Sequence, residues 1–538
     1  MIVNSISGQK KIIVKNKYNM RYIKSYSNTT DLRTDLDDGK LDHPYVAKIN
    51  DTIDFDSIGT NWKKKYFTII ALTDGTISYS HKEGSNPMFY SINEGEWIET
   101  TVSVDIPVST GNMIRFKSNR GNQAYNQETF TSGGTAQFEV AGNLMSLVAG
   151  DDFATYVPNT NATGTDGDLY CSFKNFFKDC TGLQSAKNLI IKYCDYESFS
   201  NFFNGCTNLQ IPPKLPATTL AGACYQFMFE GCTSLKTAPE LPATTLANYC
   251  YSYMFEGCTS LTSAPELPAT TLVQACYYGM FQGCTSLTTA PELPSTTLAD
   301  SCYSSMFRNT NVLPDCSNID FASSTVLASG GLKGLFSGTK VTDNDLERLL
   351  PKNDNGRYYL PATTLANYCY QEMFQGCTSL TTAPELPATT LASSCYSVMF
   401  KDCTSLTAAP KLPATDLANY CYYYMFGNCT SLTAAPELPA TTLVDSCYSY
   451  MFRGCTSLTK APELPATTLK FMCYYGMFSN CTSLNYIKCL ATDISASNCT
   501  RNWVDGVAST GTFIKAADMN DWTAGTSGIP EGWDIEDA

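Results

Sequence analysis

Histidine is nearly missing from this chain: His43 and His81 are the only two among 538 residues. A Ser-His-Asp or Cys-His catalytic site would have to recruit one of them. No GxSxG, HExxH, P-loop or GxGxxG motif occurs, so the familiar signatures of hydrolases, zinc proteases and nucleotide binders are all lacking. Charged residues are sparse, at 16%. No run approaches the ~18 apolar residues of a membrane span, and no membrane insertion is expected. The opening, MIVNSISGQKKIIVKNK, has neither an apolar core nor a small-residue cleavage site, and so does not read as a secretory signal. The expectation is a protein that acts where it is made, or leaves inside a particle or by lysis.

What charge there is lies unevenly. The chain carries −14, with a pI near 4.7. Residues 1–24 hold Lys10, Lys11, Lys15, Lys17, Arg21 and Lys24 and no acid, which leaves −20 on the rest. Nucleic acid is an implausible partner for so acidic a body. A short basic arm on it reads as a docking segment or as a solvated tail.

Fixed-period self-similarity dominates the rest. Met-Phe pairs recur at Met228, Met254, Met280 and Met306, and again at Met373, Met399, Met425, Met451 and Met477, with steps of 26 inside each block. Phe176, Phe202, Leu335 and Trp503 fall in the same column. The spacing from Met306 to Met373 leaves 15 residues beyond two ordinary steps, and an insert near 342–357 accounts for them. This gives about thirteen units of 26 residues, each expected to be a short helix (Cys250, Met254, Phe255 and Cys258 on one face) followed by a proline-limited strand through Leu261, Ala264 and Leu267. One unit cannot bury its own apolar face, but stacking turns every column into a ladder. At ~4.8 Å per step the rod is on the order of 60 Å long.

The 24 cysteines mostly pair eight apart, as in Cys250 and Cys258. Zinc would need closer pairs, and disulfides an oxidising compartment. Thr310 and Thr339 replace the second cysteine of the pair, and Ser172, Ser198 and Gly331 the first. Small size therefore matters at these positions, and reduced packing cysteines are expected. Cys171, Cys194, Cys316 and Cys489 lie off the columns.

The run M-F-x-G-C-T-S-L-T, repeated over roughly 165–505, resembles the BspA-like leucine-rich repeat. Trp503 to Trp533 resembles the terminal cap of such proteins, and Val140 to Phe153 the segment leading into their arrays. The resemblance extends to proteins of gut Bacteroidetes and of the crAss-like phages that infect them. It implies adhesion or ligand display, with no catalytic residue, cofactor or metal. The fold class expected is an α/β solenoid of leucine-rich repeats over 159–502, capped by 503–538.

An antiparallel β-sandwich is expected at 66–158, where YFTIIALTDGTISYSH and MIRFKSNRG alternate apolar and polar residues between turns. An extended attachment arm is expected at 1–65. Asn159 to Asp168 has some likeness to a calcium loop, but its spacing is wrong, and a linker fits its composition.

Two ladders stand out. Glu240, Glu266, Glu292, Glu385, Glu437 and Glu463, with Lys214 and Lys411 in the same column, form a solvated edge or a cation-binding stripe. They repeat evenly, without the contrasting environments of a glycosidase pair. The tyrosines from Tyr225 to Tyr474 form packing or ligand-binding rungs. Near-invariant columns serve the scaffold, so recognition should lie on the varying ones: Tyr249, Gln274, Asp300 and Phe471 after each Thr-Thr-Leu, and Tyr278, Gln371 and Glu372 before each Met. The insert, with Asp343, Asp345, Glu347 and Arg348, interrupts the stack and is the most individual patch.

The functional expectation is a non-enzymatic virion protein, a head or tail fibre or appendage. Its arm would dock on other virion proteins, and its solenoid would contact a host surface glycan or protein, with homo-oligomerisation an option. A bacterial surface adhesin and a ligand-free decoration protein are the alternatives.

Overall fold

The computed structural model describes residues 65–81, 85–118, 129–130, 134–158, 169–295, 297–313 and 328–538, together with the backbone of a few short strands before residue 65. Those are β1 (Ser5–Ile6) with β2 (Gln9–Lys10), β3 (Ile13–Asn16) with β4 (Asn19–Tyr22), and β5 (Lys48–Ile49) with β6 (Thr52–Ile53), each an antiparallel pair. The arm's six basic side chains and the 159–168 segment lie outside the described residues.

Alternating apolar residues next build β7 (Phe67–Ala71), β8 (Gly75–Tyr79), β9 (Met88–Ile92), β10 (Ile98–Thr100), β11 (Val104–Val108), β12 (Met113–Lys117) and β13 (Phe138–Asn143). One sheet runs β10-β9-β12-β7-β13 and continues into β14 (Leu183–Ile190), while β11 and β8 pair separately. β14 joins in parallel and comes from the repeat array, beyond the boundary expected near 158. Phe67 packs against Phe116 and Phe130, and Phe130 stacks on Phe177 of the first repeat at 5.6 Å. The front sheet and the array thus share one apolar core, and the array's first edge is covered. Buried Ser146, on the one-turn helix α1 (Ser146–Ala149), accepts from the Phe67 amide and donates to the Phe116 carbonyl, pinning β7 to β12.

The expected helix in each unit is not there. Residues 247–258 instead form a coil of successive tight turns. The amides of Cys250, Ser252, Met254, Glu256 and Cys258 donate to the carbonyls three residues back, at 3.1–3.2 Å. The intervening amides, of Tyr249, Tyr251, Tyr253, Phe255 and Gly257, donate to Gln274, Cys276, Tyr278, Met280 and Gln282 of the next unit, at 2.6–3.1 Å. An α-helix would spend all these donors internally. Here half of them tie each unit to its neighbour, and none in the run is left over. Every fourth residue takes a left-handed φ: Tyr249 at 61°, Tyr253 at 56°, Gly257 at 69°. The chain therefore alternates two residues in and two out, and Cys250, Tyr251, Met254, Phe255 and Cys258 are buried. That four-residue period imitates the i, i+4 stripe of a helix.

The proline-bearing segment opposite forms parallel bridges of single residues, as Thr237 to Ser263 and Ser263 to Thr289. Prolines leave no longer ladder possible.

The stack is not interrupted by the insert. The coil around Leu335 receives the amides of Ser301, Tyr303 and Ser305 from one side and donates from Gly334, Phe336 and Gly338 to Gln371, Met373 and Gln375 on the other. The extra residues are absorbed on the bridge flank, where they form α2 (Leu346–Leu349) and a turn closed by the bridge of Lys352 with Tyr358. There Asp343 stands in for a missing backbone partner: its carboxylate accepts from the amides of Thr381 and Thr382.

At the far end β15 (Tyr486–Cys489), β16 (Thr512–Lys515) and β17 (Asp534–Asp537) form a parallel sheet. Trp503 is wholly buried, donates from Nε1 to the Gly528 carbonyl at 2.8 Å and stacks on Trp522 at 5.5 Å. This closes the last unit. No helix among the described residues is long and apolar enough to cross a membrane.

Candidate functional site

The two-in, two-out coil sorts the side chains. The inward set makes the ladders. Tyr251 stacks on Tyr277 at 5.9 Å, Tyr396 on Tyr422 at 5.9 Å and Tyr422 on Tyr448 at 5.8 Å, all wholly or nearly wholly buried. These rungs are core, and their phenols are out of reach of any ligand. Offset ring contacts of this kind contribute about 0.5–1.5 kcal/mol each beyond their burial.

The paired cysteines of the repeats are also inward, Cys171 and Cys194 are only half-buried, and all 23 cysteines among the described residues are free thiols. Burial pushes the Cys284 thiol up to about 12, so it stays protonated and unreactive. The second cysteine column has a role that size alone did not reveal. Cys232, Cys258, Cys284, Cys403, Cys429, Cys455 and Cys481 each donate their thiol to the carbonyl of a phenylalanine one unit back, at 3.0–3.2 Å. Where threonine replaces cysteine, Thr310 and Thr339 donate instead to Phe307 and Phe336 of their own units. The column selects a small residue with a donor.

The outward set forms a grid with three columns. For the unit at 247–258 these are Asn248 with Tyr249, Ser252 with Tyr253, and Glu256 with Gly257, of which the short Ser252 is buried beneath its neighbours. Four of the residues singled out in the sequence, Tyr249, Gln274, Asp300 and Phe471, occupy the first column and are exposed. Tyr278, Gln371 and Glu372 occupy the second and are half-buried. The fold therefore places all seven on one face. Two of them also serve the scaffold: Asp300 accepts from the Ser329 amide at 2.9 Å, and Glu372 pairs with Arg308 at 3.1 Å and Lys333 at 3.8 Å.

The insert is not part of this face. Asp343 holds Thr381 and Thr382, Asp345 accepts from the Thr342 amide at 2.9 Å, and Glu347 meets Lys352 at 3.4 Å. The Arg348 side chain lies outside the described residues. The glutamate ladder runs along the bridge flank. Most of its members are exposed, but Arg357 and Asn353 hold Glu385, and Lys488 holds Glu463. A cleft of about 290 Å³ opens on that flank over Ala434, between Lys460, Glu463, Tyr486 and Lys488.

The second column also holds Tyr253, Tyr423, Tyr450 and Tyr475; of these only Tyr423, in YCYYYMF, lies in a string that the sequence marks out beside the ladder. All are half-exposed on the same face as Tyr249 and Phe471. Their signal was present as a duplicated string: CYSYMF followed one unit later by CYYGMF, at 250–281 and again at 447–478.

No group of three or more metal-ligating side chains occurs among the described residues. A family model described as the BspA-type leucine-rich repeat region, in six copies, matches at 171–288, 200–326 and 367–499. No curated protein and no solved structure matches the chain.

Proposed function

We propose, from the premise that the chain belongs to the BspA-type leucine-rich-repeat family, that it is a non-enzymatic scaffold whose outward coil face binds a surface, and that it does so as a virion fibre or appendage contacting a host. One observation carries the binding reading. The same backbone grid holds uniform residues inward and changing ones outward: position 249 is Tyr, but its counterparts are Ala275, Ser301, Gly330, Tyr368, Ser394, Tyr420, Ser446 and Met472. A surface that served only packing would not present exposed rings such as Tyr249, Tyr368, Tyr420 and Phe471, each 40–45% exposed.

Support for the virion reading is the charge contrast between the +6 arm and the −20 remainder. The arm would dock to other virion proteins, and the acidic solenoid would face outward. The adhesin reading keeps the same face and changes only its mounting. Two measurements separate the cases. Purified full-length chain should coat host cells in a sedimentation assay, and failure to do so removes the binding function. Particles assembled with a chain lacking residues 1–65 should lose the protein; normal incorporation removes the virion reading and leaves the adhesin.

A further inference from the structure

The coil face carries the same construction twice. Tyr253 lies across Gly279 of the next unit and meets Tyr278 edge-on, with ring centroids 4.9 Å apart at 66°. Tyr450 lies across Gly476 and meets Tyr475 in the same way, at 5.0 Å and 69°. In both pairs burial, and after it the neighbouring phenol, raises the pKa of the first tyrosine. A Cβ added at Gly279 would fall 2.4 Å from the Tyr253 ring, and one at Gly476 2.5 Å from the Tyr450 ring.

Backbone conformation does not demand these glycines. The same column holds Glu372, Val398 and Tyr424 at φ 60°, 61° and 54°. At Gly279 and Gly476 the neighbouring ring occupies the space that a side chain would take. The pair is thus prearranged: one ring is seated, the second is fixed against it, and both remain half-exposed.

We propose that these two tyrosine pairs are a duplicated carbohydrate subsite, through which a polysaccharide is gripped at two points along the coil face. Seven ladder steps separate them, roughly 34 Å at ~4.8 Å per step, so one extended glycan chain lying along the stack can reach both. This rests on the surface-binding reading above and names its ligand. The chemistry fits a polyol. Half-wet aromatic rings accept the apolar C–H side of a pyranose, and the amides and hydroxyls around them meet its hydroxyls. Asn248 and Gln274 flank the first pair, and Asp445 flanks the second, all exposed.

The rims differ in charge where the pairs agree. Glu256 stands beside the first pair, and the matching residue at the second is Arg453, whose guanidinium lies 5.5 Å over the Tyr450 ring. The second subsite therefore also accepts an acidic sugar through Arg453, whereas at the first Glu256 offsets the nearby Arg308.

Serine is the natural probe, because the scaffold already uses it at this position in Ser252, Ser304, Ser397 and Ser449. Full-length chain and its Y278S, Y475S and double variants would be passed over an array of bacterial capsular and mucin-type glycans, and tested on host cells before and after periodate treatment. The wild type should retain at least one polysaccharide. Each single variant should lose roughly 10²- to 10⁴-fold in apparent affinity for it, because bivalence is broken, and the double variant should not bind. Arg453→Gln should weaken acidic glycans selectively. Unchanged thermal melting confirms that the variants fold. If cells are bound equally before and after periodate, and equally by the double variant, the carbohydrate subsites are wrong while surface binding stands. If the wild type binds no cells, the broader reading fails.

Discussion

The thiol of Cys284 donates a hydrogen bond to the main-chain carbonyl of Phe255, one unit back, at 3.0 Å. That carbonyl already accepts from the Cys258 amide of its own turn. The bond therefore links adjacent coils at a position that no outside solvent can reach, and it recurs along the array. Replacing Cys284 by Ala removes both the donor and part of the packing. We expect a loss of about 1–2 kcal/mol by urea denaturation. Cys284→Thr, which the chain itself uses at Thr310 and Thr339, should cost less than half as much. Equal losses would show that the thiol only fills space.

Alkali should unfold the protein in a defined window. Burial raises the Cys284, Cys302 and Cys481 thiols from 9.0 to about 12, and the Cys276 thiol to about 11. In the unfolded chain these thiols ionise near the ordinary value, so between pH 9 and about 12 the unfolded state binds fewer protons than the folded one. Stability is then full below pH 9 and falls as pH rises through that window. Many thiols act together, so the fall should be steep. The urea midpoint should be flat from pH 7 to 8.5 and drop sharply above 9. A midpoint independent of pH up to 10.5 would mean that the thiols are not held away from water.

Much of this was legible in the sequence, and the misses have physical causes. The 26-residue period, the buried columns and the Trp-rich end could be read because side-chain identity alone carries them. The helix could not be told from the coil: Cys250 with Met254 and Phe255 with Cys258 satisfy both. What separates them is a left-handed φ at Tyr249 and Tyr253, where a non-glycine residue gives no warning. A hint lay in the third outward column, where Gly257 is matched by Asn309, Asp402 and Asn428, the residues that best tolerate that conformation. The thiol bonds were hidden because threonine substitution fits small size as well as it fits a donor. For the candidate face, the varying columns were identified, but the seated tyrosine pairs were not. Their meaning depends on which ring lies over which glycine.

That seating makes a prediction of its own. Gly279→Ala should displace the Tyr253 ring and destabilise the chain by about 1 kcal/mol or more, as overpacking does. In a Tyr253→Ser background the same change should keep only the cost of an alanine at Gly279's left-handed φ of 60°, since its Cβ then meets no ring. A double-mutant cycle should return a coupling of about 0.5–3 kcal/mol. Zero coupling would assign the glycine to the backbone instead.

The end of the array offers the sharpest test of how the stack holds together. Trp503 sits between the last tyrosine rung, Tyr474 at 6.1 Å, and Trp522 at 5.5 Å, and it takes the place that a methionine holds in regular units. Its backbone carbonyl still receives the Phe478 amide, as Met477 receives that of Phe452. Trp503→Ala should keep this ladder bond while emptying a large buried volume, at a cost of about 3–5 kcal/mol. In a linear stack each unit contacts only its neighbours, so the loss should be felt locally. Hydrogen exchange should quicken across 444–506 and leave the coils at 195–283 as protected as before. The front sheet, which covers the opposite end through Phe130 and Phe177, should be unaffected. Uniform loss of protection along the whole chain would instead make the array a single cooperative block, with the two caps coupled through every rung between them.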